Sequence, residues 1–78
     1  MGSFEVHVVN DDQDSVEGVR VVLEFTSLLR GKSAEEDTDS DGTATFVDYD
    51  DGEIRVYLDG SDYGVFHYRD GESITITL

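Results

Sequence analysis

Asp37-Thr38-Asp39-Ser40-Asp41-Gly42 is a stretch whose residue types and spacing match a known chemistry. Carboxylates at Asp37, Asp39 and Asp41 are hard oxygen donors of the kind calcium takes, and the glycine after them permits the sharp turn that lets them converge. The remainder of such a loop is misplaced. Its twelfth residue, which must fold back as a bidentate ligand, is Asp48, and a strand from Thr43 to Asp48 carries it roughly 16 Å away at about 3.3 Å per residue. A complete helix-flanked calcium loop is therefore excluded. A looser cation site remains, with Asp37, Asp39 and Asp41 helped by a remote carboxylate. The plainer reading is preferred: Asp41-Gly42 is a hairpin turn in a chain where 19 of 78 residues are Asp or Glu.

His7 and His67 are the two histidines. Each falls within an expected strand with no second ligand at a diagnostic spacing, so a hydrogen-bonded or half-exposed structural histidine is expected at both. No serine or threonine stands in a nucleophile motif, and the carboxylates are explained more economically as a solvated surface than as acid–base pairs. Tyr49, Tyr57, Phe66 and Tyr68 are expected partly outside the core. Beside Arg55 and Arg69 they are the least acidic exposed area on offer, and aromatics with arginine dominate interface energetics. Arg55, Tyr57, Phe66 and Tyr68 are thus the candidate partner contacts, with cross-strand pairing as their structural alternative.

The elements that position these residues follow from hydrophobic alternation at period two, which runs from end to end without a convincing helical period. Phe4, Val6 and Val8 alternate with Glu5 and His7, and the strand ends in the turn-rich run from Asn10 to Ser15. Val19, Val21, Leu23 and Phe25 form the next buried set. After Leu28-Leu29 and Gly31 the stretch from Lys32 to Asp41 reads as a loop, an edge strand or both. Asp41-Gly42, Asp51-Gly52, Asp59-Gly60 and Asp70-Gly71 are turn signals. They lead into strands from Thr43, from Ile54, from Tyr63 and toward Ile74 and Ile76. In the strand from Tyr63 to Arg69 both alternating sets are apolar or aromatic, so either face can be the buried one. About seven strands at this spacing predict a single domain over residues 1–78, an all-β, two-sheet antiparallel Ig-like sandwich, with a closed barrel as runner-up. Val6, Val8, Val21, Leu23, Phe25, Phe46, Ile54, Val56, Ile74 and Ile76 are expected to share its core.

The charge balance constrains function more sharply than any motif. Nineteen acidic residues face five Lys plus Arg, for a formal net charge of −14, and Lys32 is the one lysine. Disordered acidic tails share that balance, but they lack the Val, Ile, Phe and Tyr that recur here. Two unit charges 10 Å apart in water repel by roughly 0.4 kcal/mol, and a net charge of this size creates on the order of a hundred such pairs. That sum rivals the roughly 5–15 kcal/mol that holds an ordinary domain together. In molar salt the Debye length contracts to about 3 Å and most of the repulsion disappears. Abundant Asp and Glu, a single lysine and arginine as the main cation resemble proteins of salt-loving archaea. Nucleic acid is a poor partner, because phosphate is bound through clustered Lys and Arg. The chain has no cysteine, no membrane-spanning apolar run, and no basic n-region in Met1-Gly2-Ser3-Phe4. A cytoplasmic rather than secreted location is expected.

Four segments taken in order resemble a known family. They are Val16-Glu17-Gly18-Val19-Arg20-Val21, Thr38-Asp39-Ser40-Asp41-Gly42-Thr43-Ala44-Thr45-Phe46, Gly52-Glu53-Ile54-Arg55-Val56, and Ser61-Asp62-Tyr63-Gly64. Together they are similar to the carboxypeptidase regulatory-like domains, a transthyretin-like sandwich group related to the B-type repeats of collagen adhesins. The resemblance departs at Ser15, where the family usually has proline. It also lacks the first-strand lysine and late asparagine that form an isopeptide bond in the adhesin relatives. It implies a transthyretin-like sandwich serving as a binding or scaffolding module. An enzyme branch of that fold hydrolyses 5-hydroxyisourate, but its chains end in Tyr-Arg-Gly-Ser and this one ends Thr75-Ile76-Thr77-Leu78. The expectation is a non-enzymatic interaction or accessory module of a halophilic archaeon, with an unidentified protein partner or a second copy paired through an edge strand. A calcium- or other cation-binding domain is the alternative and a minimal hydrolase the second.

Overall fold

Period-two alternation becomes seven strands and two sheets in the computed structural model, which describes residues 3–25, 33–49 and 51–78. The Leu28-Leu29 pair, Gly31 and Lys32 lie outside the described residues. The strands are β1 (Ser3–Val9), β2 (Arg20–Phe25), β3 (Ser33–Asp37), β4 (Thr43–Val47), β5 (Gly52–Leu58), β6 (Ser61–Tyr68) and β7 (Ser73–Thr77). The described residues contain no helix. One sheet has the order β4-β1-β7 and the other β3-β2-β5-β6.

The sheets meet through alternate side chains. Phe4, Val6 and Val8 of β1, Val21, Leu23 and Phe25 of β2, Ala44 and Phe46 of β4, and Ile54, Val56 and Leu58 of β5 form one buried cluster with Tyr68 and Ile76. Nine of the ten expected core residues are buried, and Ile74, on an edge strand, is packed against the cluster but only partly covered. At one end four rings meet: Phe25 stacks on Tyr49 at 5.3 Å, and Tyr68 lies 4.9 Å from Phe4 and 5.6 Å from Phe25.

Two features refine the expected architecture. The sandwich is not wholly antiparallel, because β1 pairs with β7 in parallel, Val6 opposite Ile74 and Val8 opposite Ile76. Parallel neighbours cannot be joined by a hairpin, and here the whole intervening chain makes the crossover. Of the stretch from Lys32 to Asp41, the described part, Ser33 to Asp41, is both an edge strand and a turn. Thr38, the buried polar residue of the described chain, joins it to the entry of β2. Its hydroxyl accepts the Val19 N–H at 2.9 Å and donates to the Val16 carbonyl at 2.8 Å. Its backbone N–H reaches the Val19 carbonyl, and its carbonyl takes the Gly18 N–H. The Thr-x-x-Asp-Gly turn, which here crosses from one sheet to the other, and the valine-glycine step are thereby bonded to each other.

Candidate functional site

Because Ile54, Val56 and Leu58 turn inward, Arg55 and Tyr57 must turn outward, and register sets their neighbours. Val22 stands opposite Tyr57, Glu24 opposite Arg55, and Val65 opposite Arg55 on the other side. Val22, Tyr57, Arg55 and Val65 thus form an apolar and arginine stripe across the outer face of the four-stranded sheet. Val65 is 49% exposed, and the other three are half-buried.

Carboxylates border the stripe, and each is engaged. The Tyr57 hydroxyl donates to Glu24 Oε1 at 3.3 Å, and Arg55 Nη1 meets Asp62 Oδ2 at 2.9 Å. Further out, Arg20 Nε pairs with Glu35 Oε2 at 3.0 Å. Desolvation, with the Glu24 charge beside it, pushes the Tyr57 phenol above its ordinary value. The Gly64 N–H, followed by the Arg55 guanidinium, holds the Asp62 carboxyl below its own. Ion pairs this exposed are screened by solvent and contribute little to stability. Their larger effect is to pair two carboxylates, Glu35 and Asp62, with two arginines and leave the stripe less acidic than its surroundings.

Of the four expected contacts, Arg55 and Tyr57 lie on this face and the other two do not. Tyr68 is fully buried rather than exposed, and its hydroxyl donates to the Phe46 carbonyl at 3.4 Å. Phe66 is half-buried against the core. The cause is register: beyond the shift opposite Arg55 and Tyr57, Phe66 pairs with inward Ile54 and Tyr68 with Gly52, so Phe66 and Tyr68 face inward while Val65 and His67 face outward. Tyr49 is likewise half-buried, within the ring cluster. Val22 and Val65 take the vacated places on the outer face. Val22 was legible as the outward residue between Val21 and Leu23. No local pattern distinguished Val65.

The acidic loop is held by its own backbone. Asp37 ends β3 opposite Arg20. Asp39 Oδ1 accepts the N–H groups of Asp41 at 2.9 Å and Thr43 at 3.1 Å. Asp39 is therefore the acceptor that shapes the turn, and among the described residues no three of His, Cys, Asp and Glu are grouped to hold a metal ion. His7 Nε2 lies 2.9 Å from Ser15 Oγ, a pairing across eight residues that sequence spacing did not suggest. The register neighbours of His7 are Thr43 and Thr75. Neither supplies the carboxylate that orients an imidazole in a serine–histidine–acid triad.

No family model and no curated protein matches the chain. Among solved structures it is similar to the TIE protein of Bacillus anthracis, with a TM-score of 0.71 and 15% identity. The match covers 99% of this chain and 16% of that one. A likeness at this identity shows the fold alone, a β-sandwich domain.

Proposed function

We propose that this domain is a non-enzymatic interaction module that binds a protein partner through the outer face of the β3-β2-β5-β6 sheet. The observation that carries the reading is the stripe of Val22, Tyr57, Arg55 and Val65 on a chain of net charge −14. A partner seated there meets aromatic, aliphatic and guanidinium groups, the chemistry that makes interface hot spots, while the acidic surround repels acidic competitors. The charge pattern supports a halophilic archaeal origin and a cytoplasm of molar salt. The ordered segments around Gly18, Thr38, Gly52 and Tyr63 support membership of the carboxypeptidase regulatory-like, transthyretin-like group.

The test is affinity capture from a halophilic archaeal extract in molar salt, comparing the native chain with Tyr57→Ala and Val65→Ser and checking that each variant keeps its circular dichroism spectrum. The expected result is a partner held by the native chain whose affinity falls by about 2 kcal/mol, roughly thirtyfold, in Tyr57→Ala. Capture unchanged in both folded variants would move the contact surface elsewhere.

A further inference from the structure

We propose that β7 is a docking edge on which a second copy of this chain adds its own β7, antiparallel, to make one continuous six-stranded sheet. Among the described residues, strand β7 is bonded on one side only, to β1. The Glu72 carbonyl accepts the Glu5 N–H at 3.1 Å and the Leu78 N–H donates to the Val9 carbonyl at 2.8 Å. The even-numbered residues of the strand therefore address β1. By alternation Ser73, Thr75 and Thr77 turn their N–H and carbonyl groups to the open side.

The edges of the other sheet are protected. Strand β3 carries Glu35, Glu36 and Asp37. Strand β6 is interrupted by a register shift opposite Arg55 and Tyr57, with Gly64 at a φ of 105° and Asp62 beside it. The opposite edge of the smaller sheet, β4, lies against β3 at the corner, and its Thr43 carbonyl already takes the Asp39 N–H. Ser73-Ile74-Thr75-Ile76-Thr77 has no charge, proline or bulge. Natural proteins rarely leave so regular an edge unprotected unless something pairs with it.

Two features identify the occupant as a second copy. The strand is self-complementary about Thr75: across a two-fold axis Ser73 faces Thr77, Thr75 faces Thr75, and Ile74 faces Ile76 of the second copy. The three outward-bonding pairs close about six hydrogen bonds. The same pairing brings Ile76 of the second copy against half-buried Ile74. The second feature is charge. Two domains of net charge −14 repel, and a neutral edge lets them approach without bringing carboxylates together within the pairing strands. Association must then strengthen with salt, because screening removes the repulsion and leaves the backbone bonds. An extended basic peptide on the same edge would show the opposite dependence.

The experiment is sedimentation of the intact chain across a salt series with Thr75→Cys and Thr75→Pro as variants. At the two-fold axis the paired Cα atoms stand about 5.5 Å apart, within disulfide reach, and the native chain has no cysteine to compete. The expected results are a monomer in dilute salt and a weak dimer in molar salt. Thr75→Cys should form a disulfide-linked dimer on oxidation, while Thr45→Cys, outward on β4, does not. Thr75→Pro removes an N–H that the domain's own ladder does not use, and should weaken the dimer at least tenfold. A monomer at sub-millimolar concentration in molar salt would overturn the proposal. So would equal cross-linking of the two cysteine variants, which holds even where the proline variant fails to fold.

Discussion

Asn10 and Asp39 build the same turn. Each side-chain Oδ1 accepts the N–H groups two and four residues on: Asp12 and Asp14 for Asn10, Asp41 and Thr43 for Asp39. The backbone agrees, with Asn10 N–H to the Asp14 carbonyl and Asp39 N–H to the Thr43 carbonyl at 2.9 and 3.0 Å. In both the fourth residue has positive φ, 68° at Gln13 and 74° at Gly42. The loops differ in what surrounds that residue. A Cβ on Gly42 would stand 2.8 Å from the Ser15 Cβ and 3.0 Å from the Val8 carbonyl oxygen.

Opposite responses to substitution are therefore expected at the two equivalent positions. Gln13→Gly relieves a left-handed side-chain residue and raises stability by about 0.5–1 kcal/mol. Gly42→Ala adds both backbone strain and a clash, and lowers it by about 2–4 kcal/mol. Denaturant unfolding in molar salt reads both, and effects of the same sign would show that the turns are not equivalent.

Thr38→Val keeps the shape of the side chain and removes the hydroxyl. The Val19 N–H and the Val16 carbonyl then each lose a bond, and the expected cost is about 2–3 kcal/mol for polar groups left at a buried junction. Thr38→Ser retains the hydroxyl and should recover most of it. Equal destabilisation by the two would assign the effect to methyl packing instead.

Asp62 gives a pH dependence with a defined sign. Its carboxyl is held below the ordinary value of 3.8, chiefly by the Gly64 N–H and then by Arg55. Its contribution is fully present above the ordinary value and is lost as pH falls through the lowered one. Carbon-detected titration should therefore find the Asp62 midpoint below that of an unfolded-chain aspartate. Arg55→Ala should return it only part of the way, because the larger contributor remains. Complete return would show the guanidinium to be the principal cause.

Folding should depend on salt. Dilute buffer leaves the repulsion of a −14 chain unscreened, whereas molar salt contracts its range to about 3 Å. Partial protonation near pH 5 removes some of the same charges, so the rise of melting temperature with salt should be steep at neutral pH and shallower near pH 5. A melting temperature flat across the series at neutral pH would remove the halophilic account.

Alternation made Val6, Val8, Val21, Leu23, Phe25, Phe46, Ile54 and Val56 legible as core, because one face of each strand was apolar and the other was not. The same rule was silent at β6. There Val65 and His67 share one face and Phe66 and Tyr68 the other, and only pairing with β5 decides between them. Arg55 and Tyr57 were legible as outward residues; that they join Val22 and Val65 depends on register across three strands. The parallel β1–β7 pair and the His7–Ser15 contact were hidden for the same reason. Both depend on which strands become neighbours, and local residue pattern does not encode that.

The packing of Ser15 and Val16 over Gly42 also bears on loop grafting. The Asn10 and Asp39 turns press on one another, so a foreign peptide spliced into either would displace both. At Gly60 and Gly71 no heavy atom lies within 4 Å of where a Cβ would stand. Gly71 lies in the crossover from β6 to β7 and is tied to the Ser3 carbonyl through its N–H, so the β5–β6 hairpin tip at Gly60 is where this sandwich offers a scaffold for a displayed epitope.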